Sequence, residues 1–596
     1  MSKYFSLPLF AAAVTSLSTG CYAFTFEGES VKGSFDSTIA VGFGRRMGTQ
    51  DCNLVGDPSS RCGISANTAQ WSNGDNGNLN YNKGDLYSAY LKGTHELLLS
   101  FPQGFKFMGR AIWLADAKAD DTSRTDLSDK ARDQMARDFQ LMDFWVSKEF
   151  NIGEQNARIR LGNQVQNWGE SIYGIGGINA TNSLDYQKLQ VPGAQLKEAV
   201  RPAPMISFST GLGKGLAIDS YYQFSWNSNK YPASGSYYST GDIIGKGRDF
   251  IYINMGNFNF GGRDAATVAG RGSLAAIRAA QNSILAFEVP DVFGVPFVND
   301  DEPKKRGQYG LSLHYKPENT NADMGLYYLR YHDKQPVLTA LATAQAQWKF
   351  LPDRDLYGVS ANTSIGNWAV GWELSYRPKD AVSLSSCFAP GGALDANTNG
   401  VVVDCPQWKD NKKYQMHLTG ILQLSPSDHF VVLNALKAQT AVLTAEAVFI
   451  RYPGVSPNHR YIREINGVRV MQVPAPGYAS WQDNSSGLGY PIVAGAGTEN
   501  SWGCTVDFNW TYDGSVLPGW QITPGLTFFQ AVKGETPTLT ANYLEGAKSA
   551  NFYVLLNQNP TKWQAGLNYT NYFGGDKLRQ PMGDRDFLGG FLSFSF

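Results

Sequence analysis

Along most of this chain, apolar and polar residues alternate one by one. Between positions 31 and 43, Val31, Gly33, Phe35, Ile39, Val41 and Phe43 hold one parity, and Lys32, Ser34, Asp36 and Thr38 the other. Successive side chains of a strand point to opposite faces, so the pattern predicts a strand between an apolar and a polar medium. It returns with more aromatic weight. Leu216, Ile218, Tyr222, Phe224 and Trp226 alternate with Asp219, Gln223 and Ser225, and Trp368, Val370, Trp372, Leu374 and Tyr376 with Glu373, Ser375 and Arg377. Val506, Phe508, Trp510 and Tyr512 alternate with Asp507 and Asn509, and Trp563, Ala565, Leu567 and Tyr569 with Gln564, Asn568 and Thr570. A soluble sandwich alternates in the same way. What separates the two is the placing of Trp and Tyr at strand ends, where a ring sits at a lipid–water boundary.

The connections fall into two kinds. Short turns at 101–104, 151–154 and 364–367 join neighbouring strands, while long polar stretches run over 117–138, 228–305, 379–411 and 453–500. Short periplasmic turns at one end and long extracellular loops at the other are what a bacterial barrel requires. Residues 274–287 and 337–348 are Ala-rich without Gly or Pro and are expected to be helical, entering the lumen or capping the mouth. The predicted fold is therefore all-β: a transmembrane antiparallel β-barrel of roughly 16–18 strands with long extracellular loops and short helical inserts. Leu592, Phe594 and Phe596 alternate at the C-terminal end, the signal expected by the barrel assembly machinery, although Phe591 stands where that pattern has Gly.

Composition narrows the reading. Lys+Arg 51 against Asp+Glu 52 leaves no basic surface for nucleic acid. Charged residues make up 17%, below the quarter or so of soluble domains. No stretch reaches the roughly 18 apolar residues of a spanning helix. At the N-terminal end, Lys3 precedes an apolar run over 5–17 and the small-x-small site Cys21-Tyr22-Ala23. This order predicts a signal peptide, 1–23, cleaved after Ala23, and a single barrel domain, 24–596, in the outer membrane of a Gram-negative bacterium. Gly20-Cys21 resembles the end of a lipobox, but Ser18 stands where Leu is usual, so cleavage without a lipid anchor is expected. Cys52 with Cys62, and Cys387 with Cys405, are close pairs in polar stretches and predict two loop disulfides, leaving Cys504 as a thiol. Their spacings do not suit zinc.

Candidate chemistry is sparse. Arg160, Gln164, Trp168 and Glu170 share one parity and point toward the lumen, with Lys197, Glu198 and Arg201 in the adjoining segment. Glu373 and Arg377, four apart on a strand, share a face as well. Such residues line a constriction that sets selectivity, or they brace the wall against an inserted loop through paired charges. An outer-membrane phospholipase needs a Ser–His pair on the wall. His314 and His417 have inward parity, but no Ser with an Asp partner stands in a recognisable setting, so no enzyme is expected. Asp120-Asp121 is too bare for calcium, and Gly174-Ile175-Gly176-Gly177 lacks the following helix of a nucleotide site; no metal or cofactor is expected.

The run Arg158-Ile-Arg-Leu-Gly-Asn-Gln-Val-Gln-Asn-Trp-Gly-Glu-Ser171, followed by Val191-Pro-Gly-Ala-Gln-Leu-Lys-Glu-Ala199 with Pro202, Pro204 and Met205, resembles the proteobacterial outer-membrane family known as domain of unknown function 1302. The likeness continues in Gly371-Trp-Glu-Leu-Ser-Tyr-Arg-Pro378, Val532-Lys-Gly-Glu-Thr-Pro537 and Asp584-Arg-Asp-Phe587, and is weaker over 228–305 and 453–500. The resemblance implies a barrel associated with breakdown of steroids, terpenes and other hydrophobic compounds, or with export of lipid-like molecules. It implies as neighbours a periplasmic lipoprotein and an inner-membrane pump, and brings no catalytic residues. The expected function is passage of hydrophobic or amphipathic small molecules; the alternative is a docking barrel for that lipoprotein and export pump.

Overall fold

The computed structural model describes residues 24–55, 60–62, 76–248, 250–254, 292–341, 345–385, 405–459, 461–465, 467–475, 497–558, 562–576 and 580–596. Nineteen strands share one sheet, and 18 of them close into a ring in which every pairing is antiparallel. They are β1 (Lys32–Arg46), β2 (Leu86–Phe101), β3 (Phe105–Asp116), β4 (Arg137–Ile152), β5 (Gln155–Gln164) and β6 (Ala203–Gly213). Next come β7 (Leu216–Gln223), β8 (Gln308–Tyr315), β9 (Asp323–Tyr331), β10 (Arg354–Ile365), β11 (Trp368–Ser383) and β12 (Trp408–Leu424). The wall ends with β13 (Thr440–Arg451), β14 (Asn500–Asp513), β15 (Trp520–Lys533), β16 (Ala547–Gln558), β17 (Trp563–Gly574) and β18 (Phe587–Ser595). Strand β18 pairs back onto β1, Thr38 opposite Ser595, so no edge is left unpaired. Beyond that pairing, the nineteenth strand, Phe24–Glu27, continues along β1 with Phe24 opposite Phe35.

Parity decides which medium each residue meets. On β11, Trp372 and Leu374 are exposed on the outside, whereas Glu373, Ser375 and Arg377 are buried inside. The outward residues form an apolar band bounded by aromatic rows. Near the long-loop end, Tyr309, Tyr328, Tyr357, Tyr376 and Tyr414 follow one another across β8 to β12 with ring centroids 4.9–6.3 Å apart. Trp368, Trp510, Trp520 and Trp563 stand at the short-turn end of their strands. An apolar belt between two aromatic girdles is the exterior of a barrel that crosses a bilayer. The two ends differ as predicted: β4 and β5 are joined at 153–154, β6 and β7 at 214–215, β10 and β11 at 366–367. Connections at the opposite end include 165–202, 224–307 and 452–499.

Three expectations need correction. Residues 337–348 do not form a helix. Val337–Ala340 and Ala346–Lys349 are paired strands, and the first also pairs with Cys405–Pro406. The Ala-rich composition favours helix locally, but burial of Val337 and Trp348 and a sheet partner from a distant loop override it. Trp226 does not continue the outer face of β7. It is buried and donates its indole N–H to the Asp333 carbonyl at 3.2 Å, because the strand ends at Gln223. The loop placed at 379–411 is shorter than expected, since β11 runs to Ser383 and β12 begins at Trp408. Among the described residues the helical inserts are short, as at Asp129–Met135 and Phe430–Leu436. The stretch 274–287, the signal peptide and Cys387 lie outside the described residues. Cys52 and Cys62 are joined, Cys405 is disulfide-bonded, and Cys504 is a free thiol.

The outward position of Leu418, 45% exposed on the lipid side of β12, makes a direct test of the wall. Leu418→Arg places a charge in the hydrocarbon and is expected to destabilise the barrel by about 2–4 kcal/mol, whereas Leu418→Met is near neutral. Urea unfolding of the protein in bilayers, followed by Trp fluorescence, measures the difference.

Candidate functional site

The connection 165–202 enters the barrel and crosses it. Its first half lies on β11, β12 and β13, where Glu373, His417 and Glu446 face inward from neighbouring strands and are all buried. Glu373 accepts at both oxygens: the Glu170 N–H reaches Oε2 at 2.6 Å and the Ile178 N–H reaches Oε1 at 3.0 Å. Glu446 Oε2 accepts the N–H groups of Ile172 (3.3 Å), Gly174 (2.8 Å) and Tyr173. Between them stands His417, with Nδ1 2.6 Å from Glu446 Oε1 and Nε2 3.8 Å from Glu373 Oε1. Two buried carboxylates thus take up backbone donors that a loop inside a lumen has no sheet to satisfy. Glycine is required where the backbone meets them. Gly169 (φ +89°) and Gly177 (φ +64°) have a left-handed backbone, and a Cβ on either would overlap the Glu373 carboxylate.

Carbonyls of the same segment are held by amide and guanidinium groups. Gln415 Nε2 donates to the Ile175 carbonyl at 2.9 Å and Arg377 Nη2 to the Gly177 carbonyl at 2.9 Å. Arg377 also donates to Asp380 at 3.2 Å, and Asp380 accepts the Tyr452 hydroxyl at 2.6 Å. The second half of the segment reaches the opposite wall. Lys92 on β2 pairs with Glu198 at 2.9 Å and donates to the Gly193 carbonyl at 3.0 Å, and Glu96 pairs with Lys197. Lys188 pairs with Asp138 on β4 at 2.7 Å. The segment is a crossbar fixed at both ends by charge-assisted bonds.

The residues singled out by parity fall into this arrangement unequally. Glu373 and Arg377 on the wall, with Glu170, Lys197 and Glu198 on the crossbar, all make crossbar-to-wall contacts. Glu170 Oε1 accepts the Asn362 amide at 2.9 Å. Trp168 is buried against Tyr221 and Tyr327, with ring centroids 5.3 and 5.9 Å away. Gln164 accepts the Ser207 hydroxyl and donates to the Met205 carbonyl, bracing the wall itself. Arg160 lies apart, its guanidinium 4.2 Å from the Trp145 ring. Sequence reasoning missed Glu446, Gln415 and Lys92, and weighed His417 only as a catalyst. The one signal for Glu446 was a lone carboxylate in the run 441–450, where Thr444 is the other polar residue.

Several spaces adjoin the crossbar on the long-loop side. A cavity of about 100 Å³ is lined by charged groups, among them Asp333, Lys334, Arg377, Asp380 and Lys413. Beside it lies a larger one of about 390 Å³ with mainly apolar walls, including Tyr231, Ile243, Ile244, Phe529 and Leu544. Ile175, Leu539 and Asn542 line both. Toward the short-turn end the lumen widens to a polar space of about 700 Å³ beside Glu149, Arg158 and Asp219. In the loop following β9, burial and the nearby Arg201 charge push the Lys334 ammonium down to about 7. Its nearest acceptors are the amide oxygens of Asn227 (3.4 Å) and Gln308 (3.5 Å).

Among the described residues a Ser–His contact occurs on the wall, on the lipid side. Ser37 Oγ is 2.9 Å from His95 Nδ1, and the Trp113 indole N–H donates to His95 Nε2 at 2.9 Å. That second bond makes Nε2 the acceptor and leaves the ring proton on Nδ1. His95 therefore donates to Ser37 instead of taking its proton, the reverse of what a serine nucleophile needs.

The model of the family described as "Protein of unknown function (DUF1302)" matches residues 4–596. Comparison with curated proteins gives no match. Among solved structures the chain is similar to Acinetobacter baumannii OccAB1, with 10% identity, coverage of 96% of this chain and 99% of that one, and a TM-score of 0.41. A BenF-like porin from Pseudomonas fluorescens Pf-5 gives 8% identity, 95% and 98% coverage and a TM-score of 0.41. The outer membrane protein OpdK of Pseudomonas aeruginosa gives 8%, 95% and 98%, and 0.39.

Removing the acceptor from the crossbar should loosen it. Glu446→Ala strands three N–H groups at roughly 1–3 kcal/mol each, so single-channel conductance in planar bilayers should rise above the wild-type value. Leu418→Met should leave conductance unchanged. A separate expectation concerns pH. Lys334 loses its proton near pH 7 when folded but near 10.5 when unfolded, so the unfolded state binds more protons between these values. Stability should therefore rise with pH across that window, by at most about 1.4 kcal/mol per pH unit, and the rise should flatten in Lys334→Met. Thermal unfolding at pH 6 and pH 9 measures both.

Proposed function

The chain belongs to the DUF1302 family, and on that footing we propose that it is an outer-membrane passage for hydrophobic or amphipathic small molecules. The observation that carries this reading is the apolar cavity of about 390 Å³ at the long-loop end, against the crossbar. An apolar hollow among polar loops gives a small molecule a place to leave water, and burial of its surface supplies about 25 cal/mol per Å². Ile175 forms part of its wall and belongs to the crossbar, so occupancy of the cavity bears directly on the segment that crosses the lumen. Beyond the crossbar the lumen is wide and polar, suited to releasing such a molecule toward the periplasm. The order of surfaces favours a gated passage over an open pore.

The test is binding followed by permeation. A fluorescent apolar probe such as 1-aminoanthracene should bind the purified barrel, and Ile243→Asp should weaken it about tenfold, the equivalent of ~1.4 kcal/mol. Liposomes carrying the barrel should take up the same probe faster than empty ones. Large, unselective conductance without probe binding would instead identify a general porin. Copurification of a periplasmic protein with neither binding nor uptake would favour the docking role.

A further inference from the structure

The connection between β12 and β13 is unlike the other turns at its end of the barrel. It contains the helix Phe430–Leu436, here α1, sequence FVVLNAL, in which Asn434 is the one polar residue. A helix apolar on all sides has no stable place in water and must be covered all round. One side is covered by the barrel, but by its outer face. Leu433 is buried against Leu424 and Ala441, with Leu422, Phe508 and Trp510 packed around them. These wall residues have outward parity: Ala441 is opposite Leu424 and Trp510, and Leu443 is opposite Leu422 and Phe508, while Glu446 and Asp507, of the other parity on their strands, point inward. The Tyr512 hydroxyl fixes the helix end by donating to the Leu436 carbonyl at 2.8 Å, and itself accepts the Trp510 indole N–H at 3.2 Å. The other side of α1 is open: Phe430, Val431 and Val432 are 60%, 66% and 41% exposed.

We infer that α1 lies in the lipid–water interface of the periplasmic leaflet, with Phe430, Val431 and Val432 buried among lipid chains. The open face is continuous with the lipid-facing band, since its buried side rests on residues of that band. Depth agrees, because the helix sits level with Trp510 and Tyr512, side chains that belong at the boundary. Its ends are polar: Asp428, held by the Asn367 amide at 2.9 Å, precedes it and Lys437 follows. Apolar faces with polar ends at this depth describe an interfacial helix. The inference does not depend on what the lumen passes.

The experiment uses the full-length barrel with Cys504→Ala, the disulfides kept oxidised, and one new thiol labelled with the polarity-sensitive fluorophore NBD. Val431→Cys is the test position, Leu418→Cys the lipid control and Asn319→Cys, in the exposed 316–322 turn, the water control. In phosphatidylcholine vesicles the label at 431 should emit blue-shifted light like that at 418. Doxyl groups on the lipid should quench it, and it should lose most of the iodide quenching seen at 319. Emission and iodide access matching position 319 would overturn the inference. If a periplasmic extract, and not lipid, then shielded the label, the face would be a protein-docking surface and the lipid assignment would fall with it.

Discussion

The path of the crossbar through the lumen depends on one exchange: buried carboxylates of the wall need donors, and buried N–H groups of the crossbar need acceptors. Either group alone would be costly inside the barrel, because a carboxylate stripped of water and an orphaned backbone N–H each lose several kcal/mol of solvation. Glu373 and Glu446 together take five backbone donors, so each half of the arrangement satisfies the other. This is why the segment between Trp168 and Ile178 keeps a defined path without any strand partner. The same exchange explains the glycines. Only a residue without a Cβ lets the backbone approach a carboxylate this closely, and Gly169 and Gly177 stand at the two ends of Glu373.

The barrel makes such an interior affordable. An 18-stranded ring satisfies its own backbone, so its inward parity is free to carry Arg, Glu, Lys and His while its outward parity meets lipid. The charges inside are arranged in pairs across the crossbar boundary: Lys92 with Glu198, Glu96 with Lys197, Asp138 with Lys188. They fix the second half of the segment to β2 and β4, opposite the wall where Glu373, Glu446 and Arg377 hold its first half. Packing adds direction, since Trp168 wedged between Tyr221 and Tyr327 sets where the segment enters.

The architecture was legible because its signal is repeated: each strand restates the same period of two, and the errors of one strand do not spread. Glu373, Arg377, Glu170, Lys197 and Glu198 were legible for the same reason, as charged residues with inward parity or beside a recognised run. Their partnerships were not. Glu446 is far in sequence from the N–H groups it accepts, and no local pattern announces a bond between a strand and a loop so distant. His417 was visible as an inward residue, but its place between two carboxylates follows only from the order of β11, β12 and β13 in the wall. The failure at 337–348 has a different origin. Local propensity was read correctly, and a non-local sheet partner outweighed it.

A fixed crossbar constrains how any passage must work. Its bonds are charge-assisted and numerous, and a ligand shifts the crossbar only through a difference in affinity between its bound and displaced positions. The apolar cavity supplies a place for that difference, since Ile175 belongs both to its wall and to the carboxylate-bound segment. A polar solute gains nothing there. A molecule with enough apolar surface gains from the cavity first and acts on Ile175 second. On the proposed reading, selectivity therefore resides less in the charged groups of the lumen, which are committed to holding the crossbar, than in the apolar hollow above it.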